Sequence, residues 1–166
     1  MICSRFRSFS LPVVAVLLTA AGCSSDDDSA AVTPPSPHKA VTKLCRNLDK
    51  ALPKTVDGLA RRDPAPASAL TAGWGSPAVI LRCGVQRPPK MTDPDVPQGK
   101  DPDALAGEVN GVGWLMEKQG DGAHRFTTAN RAGYVEIRVP GDRDSSAALV
   151  DLAAAVKKTI PEGIAD

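Results

Sequence analysis

Residues that commonly carry catalysis and cofactor binding are scarce in this sequence. Its 166 residues include two histidines, one tyrosine, two tryptophans and three phenylalanines. There is no Cys-x-x-Cys pair, no glycine-rich phosphate loop and no recognisable zinc spacing, so we expect neither a metal nor a cofactor. With 20 basic and 19 acidic residues, the chain also lacks the excess positive charge that would favour a nucleic-acid partner.

A nucleophile with a base at a known spacing is missing as well. His124 is the only histidine within the predicted domain, because His38 lies at its edge. Ser76 lacks the following glycine that a nucleophile elbow requires. We therefore predict that the protein is not an enzyme. An envelope hydrolase stays the least favoured alternative, and it would need an acid and a nucleophile within hydrogen-bond reach of His124.

No apolar run is long enough to span a bilayer, but a shorter one lies near the start of the chain. Leu11–Ala21 is almost uninterrupted and is 11 residues long, whereas a spanning helix needs about 20. Arg5 and Arg7 precede the run, and small residues follow it. This order predicts a secretory signal peptide over residues 1–22.

The end of the signal peptide carries a cysteine. The sequence Ala20-Ala21-Gly22-Cys23 resembles the lipobox of bacterial lipoproteins, although its first position is usually leucine. In that family the cysteine receives a diacylglyceryl group and becomes the first mature residue. We therefore expect a lipid on Cys23 that anchors the exported protein to the outer face of the plasma membrane. The two acyl chains of a diacylglyceryl group are enough for stable membrane anchoring. An ordinary signal peptide with Cys23 as a stray thiol is the alternative.

Two cysteines remain in the mature domain. Cys3 leaves with the signal peptide and Cys23 takes the lipid, so Cys45 and Cys83 form an even pair in an oxidising compartment. Such a pair predicts a disulfide. Closing this loop contributes about 4 kcal/mol by the loop-entropy estimate. A redox or metal pair is the disfavoured alternative, because neither a Cys-x-x-Cys spacing nor nearby histidines exist.

The mature chain divides into a tether and one domain. Residues 23–37 are rich in Ser, Asp, Ala and Pro, which is typical of a solvated spacer, and residues 24–37 reach about 45 Å when extended. Residues 38–166 are predicted to form a single domain. Within it, residues 86–107 contain five prolines and predict a long loop. Two Asp-Pro-Asp repeats in that loop raise the alternative of a calcium site, but a solvated polar loop is favoured.

Apolar periodicity predicts two helices and about four strands. Val41, Leu44, Cys45, Leu48 and Leu52 fall on one side of a first helix that ends before Pro53, and Leu149, Leu152, Val156 and Ile160 fall on one side of a last helix capped by Asp144 or Ser145. Alternation predicts strands over 77–85, 108–118, 124–128 and 134–139, with a further short strand over 69–74. We expect an α+β fold: an antiparallel sheet with an N-terminal and a C-terminal helix packed on one face. The disulfide would join the first helix to the strand that contains Cys83.

Two further features are candidates for recognition. Trp74 and Trp114 each lie beside glycines and could contact a ligand or a protein, although core positions are the favoured interpretation in so aromatic-poor a domain. Five cations lie near the strand with Cys83, and a cluster of them would suit an anionic envelope polymer or a lipid headgroup, with scattered surface charge as the favoured alternative; they are Arg61, Arg62, Arg82, Arg87 and Lys90.

Several short motifs together resemble one known family. They are Cys45-Arg46 and Leu52-Pro53 in the first helix, Trp74-Gly75-Ser76-Pro77, Leu81-Arg82-Cys83-Gly84-Val85, and Asn110-Gly111-Val112-Gly113-Trp114-Leu115. This combination is similar to a family of secreted actinobacterial lipoproteins known as domain of unknown function 3515. The resemblance implies export and lipidation over a domain at residues 40–160, and it implies no activity and no catalytic residue.

These observations predict a non-enzymatic, membrane-anchored lipoprotein of the bacterial cell envelope. Its partners would be the membrane, through the lipid on Cys23, and an envelope protein or cell-wall component. The alternative is a domain that binds a small molecule or lipid in a pocket between sheet and helices near Trp114.

Overall fold

The structure is a computed structural model that describes residues 30–76 and 79–165. Within these residues the elements are α1 (Lys39–Ala51), β1 (Thr55–Val56), β2 (Leu59–Ala60), β3 (Thr71–Trp74), β4 (Val79–Val85), a 3-10 helix (Pro89–Thr92), β5 (Ala104–Val109), β6 (Val112–Lys118), β7 (His124–Ala129), β8 (Tyr134–Val139) and α2 (Ser145–Thr159). The predicted α+β class is confirmed. The predicted signal peptide, the predicted lipidation residue Cys23, the first part of the predicted tether and Pro77 lie outside the described residues.

Six strands form one antiparallel sheet in the order β3-β4-β8-β7-β6-β5, and β1 and β2 form a separate hairpin. The prediction of about four strands is therefore wrong in number. The single strand predicted over 108–118 is two strands, because Asn110 and Gly111 turn the chain between β5 and β6 with φ angles of 49° and 75°. An Asn-Gly pair favours this hairpin turn because both residues accept positive φ. β5 begins at Ala104, so the predicted 86–107 loop ends at Asp103.

Both helices follow from local sequence. α1 buries Val41, Cys45 and Leu48, and its C-cap Leu52 is extended directly before Pro53, as expected for a residue that precedes proline. At the start of α2 the side chain of Asp144 accepts hydrogen bonds from the backbone N–H groups of Ser146 and Ala147, which satisfies donors that the helix leaves free.

The helices cover one face of the sheet, which we call the helix-side face. Pairing across the sheet puts Leu81 opposite Ile137 and Cys83 opposite Val135, all four on this face. These residues share one buried cluster with both helices, to which Leu48 and Leu152 also belong. The predicted packing of both helices on one face agrees with this arrangement. Residues at the alternating positions lie on the opposite face, which we call the open face.

A disulfide between Cys45 and Cys83 ties α1 to β4 within this core. Their Cα atoms are 5.5 Å apart, within the usual range for a disulfide. Each cysteine is 1 % exposed. The predicted pairing is confirmed, and so is the prediction that it joins the first helix to this strand.

Residues 30–38, which we call the N-terminal strap, lie along the domain. The backbone N–H of Val32 donates to the carbonyl of Ala65 at 2.8 Å, and Ala65 donates in turn to Ala30 at 3.0 Å. Pro37 packs against Gly84, which has a φ of +87° and where an added Cβ would lie only 2.4 Å from the proline ring. Glycine is therefore required where the strap crosses β4. Residues 30–37 of the predicted tether are therefore docked on the domain.

No helix within the described ranges is both long and apolar enough to cross a membrane.

Candidate functional site

The middle of the open face is a set of paired charges. Arg82 on β4 donates to Glu136 on β8, with 3.1 Å between Nη1 and Oε1. Arg125 on β7 donates two hydrogen bonds, of 3.1 and 2.9 Å, to Glu117 on β6. Those bonds to Glu117 raise the pKa of Arg125 above its ordinary value. Cross-strand neighbours of opposite charge stabilise the pairing of the strands, and they give this face a polar floor.

The 86–103 loop covers one end of the open face. Val96 is buried against Ala104 and Leu115, and Met91 packs on the same cluster. The loop therefore has a small apolar core of its own, separate from the helix-side core.

The Asp-Pro-Asp repeats shape this loop as turns. Asp93 accepts a hydrogen bond from the backbone N–H of Asp95 at 3.0 Å, and Asp101 accepts one from Asp103 at 2.9 Å. Both are turns in which an aspartate side chain caps the backbone two residues on. Lys90 also pairs with Asp101, and its hydrogen bond is the main reason why the pKa of Asp101 lies below its ordinary value. These carboxylates thus have structural partners inside the loop.

An open groove of about 900 Å³ lies between the strap and the open face. Its floor is formed by Arg82 and Glu136, and the strap supplies one wall with Pro35 and Pro37. Arg87, from the start of the loop, and Ile164, near the end of the chain, also line it. The groove is thus a polar channel with apolar walls.

A second cleft of about 360 Å³ lies under the 86–103 loop. It is lined mainly by apolar residues of the loop and the open face, including Met91, Val96, Ala106 and Leu115. Three residues line both the groove and this cleft: Arg87, Tyr134 and Ile164. The two spaces therefore adjoin, and both lie in the size range of small-molecule sites, about 300–1,000 Å³.

The five cations that could have formed one cluster divide into two groups, and exposed Arg62 goes with Arg61, since its backbone N–H donates to the carbonyl of Gly73 in β3 at 2.7 Å. Arg82 and Arg87 line the groove, and Lys90 lines the cleft. Arg61 instead binds Asp49 and Asp63, with both contacts at 2.6 Å, and lies over the Trp74 ring. Burial lowers the pKa of Arg61, but its hydrogen bonds to the two aspartates raise that pKa above its ordinary value.

Neither tryptophan presents its ring to solvent. Trp74 is 0 % exposed, and its Nε1 donates to the carbonyl of Pro53 at 3.1 Å. Trp114 is 3 % exposed within the helix-side core. The candidate recognition residues Trp74 and Trp114 are thus core aromatics, and of the two only Trp114 also borders a cleft.

The predicted pocket near Trp114 exists, since Trp114 is among the residues that line the cleft, but the cleft does not lie between the sheet and the helices. Trp114 belongs to the same buried cluster as Leu149 and Leu152 of α2, and so it helps to fill that layer. The cleft lies on the other side of the sheet, next to Leu115. The position differs because the covering loop, rather than a helix, forms the roof.

His124 lies at the start of β7, with its ring 6.3 Å from that of Phe126. Within residues 30–76 and 79–165 its side chain takes part in no hydrogen bond and no ion pair. Among the described residues, no acid or nucleophile is hydrogen-bonded to His124 as the hydrolase alternative requires.

Sequence reasoning missed the strap and the cleft. The signal for the strap was Gly84 next to Cys83, since a glycine in the middle of an apolar strand often marks the close approach of another chain segment. The signal for the cleft was weaker: Met91 and Val96 are the only large apolar residues in a loop that is otherwise polar or proline.

Comparison with known proteins identifies the family. The sequence model of the family described as "Protein of unknown function (DUF3515)" matches residues 8–165. The match confirms the resemblance and extends it over almost the whole chain. No curated protein and no solved structure matches the chain.

Proposed function

We propose that this chain, which belongs to the DUF3515 family, is an exported lipoprotein of the bacterial cell envelope that is anchored through a lipid on Cys23. Its domain acts as a non-enzymatic binding or accessory module. The sequence support is the signal peptide over residues 1–22 and the small-residue exit before Cys23.

The structural observation that carries this proposal is the Cys45–Cys83 disulfide. Both sulfurs are buried in the core of the domain, so the bond stabilises the fold itself. Structural disulfides persist in oxidising compartments and are rare in the cytosol. A core that depends on one therefore favours a protein that works outside the cytosol, as the signal peptide predicts.

Lipidation at Cys23 is tested by substitution and by intact mass. Cys23→Ala should release the protein from washed membranes and abolish labelling by a radioactive fatty acid. Cys3→Ala is the matched control, because it removes a cysteine from the predicted signal peptide and should change neither result. An unmodified residue 23 in protein isolated from membranes would contradict the proposal.

A binding role also predicts a partner. Affinity purification of the acylated protein from solubilised membranes should return the same envelope protein or cell-wall component in repeated preparations. A purification that reproducibly returns the protein alone would count against a macromolecular partner.

The adjoining groove and cleft favour a second candidate, a module that binds a small molecule or a lipid. The observation behind it is specific: an apolar cleft opens directly into a groove that carries arginine side chains. Both candidates use the same anchor and differ in what occupies the open face.

A further inference from the structure

We propose that the groove and the cleft form one site for an anionic membrane lipid, with its headgroup beside Arg82 and Arg87 and its apolar chain in the cleft. The inference rests on the proposed membrane location of the protein, and it adds the chemical class of the ligand and the residues that hold it.

The headgroup end is defined by two guanidinium groups. Arg87 is exposed and makes no ion pair within the part of the chain that the structure describes. Arg82 is bound to Glu136, yet its Nε is buried and has no hydrogen-bond partner among the described residues. Glu136 already balances Arg82, so among the described residues that line the groove Arg87 adds one unpaired positive charge. Guanidinium groups match phosphate and carboxylate oxygens in geometry, so the groove suits an anion.

The chain end is defined by the cleft. Met91 and Val96 from the loop and Leu115 and Ala106 from the sheet line it. Ile164 stands at the mouth and is 81 % exposed. An apolar ligand chain placed there would remove this surface from water, which is favourable. A free phosphate or a sugar would leave the cleft unused.

The junction of the two spaces matches the junction within an amphiphile. Arg87, Tyr134 and Ile164 line both the polar groove and the apolar cleft. A cation therefore lies where the headgroup of a lipid would meet its chain. Because the groove and the cleft share these residues, we treat them as one continuous site and not as two unrelated depressions.

The strap indicates where the ligand comes from. It supplies a wall of the groove through Pro35 and Pro37, and it is docked on the domain from Ala30 onward. The distance from Cys23 to Ala30 is seven residue steps, at most about 25 Å of chain. An anchored protein thus keeps the groove near the bilayer, whose lipids are the closest source of amphiphiles.

The test uses the full acylated chain in phosphatidylcholine vesicles, with a photoreactive lysophosphatidic acid as the probe. We expect crosslinks in the peptides that contain residues 87–97 and residue 115. Unlabelled lysophosphatidic acid should compete, whereas lysophosphatidylcholine and glycerol phosphate should compete weakly. Arg87→Gln should weaken binding of the probe about tenfold, as expected for loss of one charged hydrogen-bond donor.

Matched variants separate the site from general charge and from misfolding. Arg46→Gln removes another exposed arginine, in α1, and should leave crosslinking unchanged. Ala106→Trp changes an exposed residue of β5, fills the cleft and should abolish crosslinking. Thermal unfolding of each variant shows that it is folded, and Met91→Asp is a second variant, which places a negative charge in the apolar cleft and should also weaken crosslinking.

Three results would overturn the inference. Equal competition by lysophosphatidylcholine would show that the site does not require an anionic headgroup. Equal competition by glycerol phosphate would show that it does not require an apolar chain. Crosslinks that map elsewhere, or that survive in Arg87→Gln and Ala106→Trp, would remove the site. None of these results bears on Cys23, whose acylation is read from the intact mass of the same samples, so the two proposals can fail separately.

Discussion

The two faces of the sheet differ in what fills them. The helix-side face is covered by α1 and α2, and the central strand residues Leu81, Val135 and Ile137 are at most 2 % exposed. The open face carries arginine–carboxylate pairs, and the 86–103 loop and the strap cover it only in part. Space for a ligand lies on the open side.

The difference separates stability from recognition. Burial of apolar surface drives folding, and on the helix-side face a disulfide reinforces it. Paired charges near a surface contribute little net stability, yet they keep a face polar and hold its side chains in place. We therefore expect substitutions on the two faces to affect different measurements.

Removal of the disulfide should produce the largest loss of stability. Replacing Cys45 and Cys83 together by serine should lower the free energy of unfolding by about 4 kcal/mol, because the unfolded chain regains the freedom that the loop restricts. Urea denaturation of the purified protein measures it. Wild-type protein treated with a reductant is the control and should match the double variant. A loss under about 1 kcal/mol would contradict the place that we give this bond in the core.

Truncation of a buried side chain should have the next largest effect. Leu48 is 0 % exposed between α1 and the sheet, so Leu48→Ala should cost about 3 kcal/mol through lost burial and the cavity left behind. Leu105 is 46 % exposed, and Leu105→Ala is the control that should change stability little. Similar losses for the two variants in denaturant unfolding would contradict the contrast between a buried and an exposed leucine.

An ion pair of the open face should contribute less. Arg125→Gln removes the two hydrogen bonds to Glu117, and because the arginine is 34 % exposed we expect a loss of about 1 kcal/mol or less. A double-mutant cycle with Glu117→Gln isolates the interaction between the two side chains. A coupling free energy above about 2 kcal/mol would show that this face stabilises the fold as the core does.

Acid should loosen the loop on the open face, with the smallest effect. The pKa of Asp101 lies below its ordinary value of 3.8, because Lys90 and the backbone of Asp103 donate hydrogen bonds to its carboxylate. A depressed pKa stabilises the folded state above the ordinary pKa, and that contribution is lost as the pH falls below about 4. Asp101→Asn should therefore flatten the acid limb of stability against pH, while Asp142→Asn, at an exposed aspartate outside the loop, should not. Identical acid limbs for wild type and Asp101→Asn would contradict this assignment.

The sequence was sufficient for the helix-side half of the molecule. Apolar periodicity predicted both helices and the strand with Cys83, because each is a local repeating pattern. The cysteine pair was predicted separately, from an even number of cysteines in a protein expected to be exported. The Asn110-Gly111 turn was also readable, because Asn-Gly directly favours a two-residue hairpin. It was missed because apolar residues continue on both sides of it.

The open face could not be predicted in the same way. The groove depends on contacts between distant segments, such as Pro37 on Gly84 and Ile164 beside Arg87. No local pattern records which cations meet, and so Arg61 and Arg82 looked equivalent although one packs over Trp74 and the other lines the groove. Trp74 and Trp114 were ambiguous for the same reason, because flanking glycines are compatible with both surface and core positions.

The most direct test of the account is the mass of the protein extracted from its own membranes, measured first under native and then under denaturing conditions. We predict that the denatured chain keeps a diacylglyceryl group on Cys23. We also predict that the native protein carries one anionic lipid in addition, and that Arg87→Gln lowers the fraction of protein that carries this lipid. Identical native and denatured masses would contradict the lipid site on the open face, and an unmodified denatured chain would contradict the anchor.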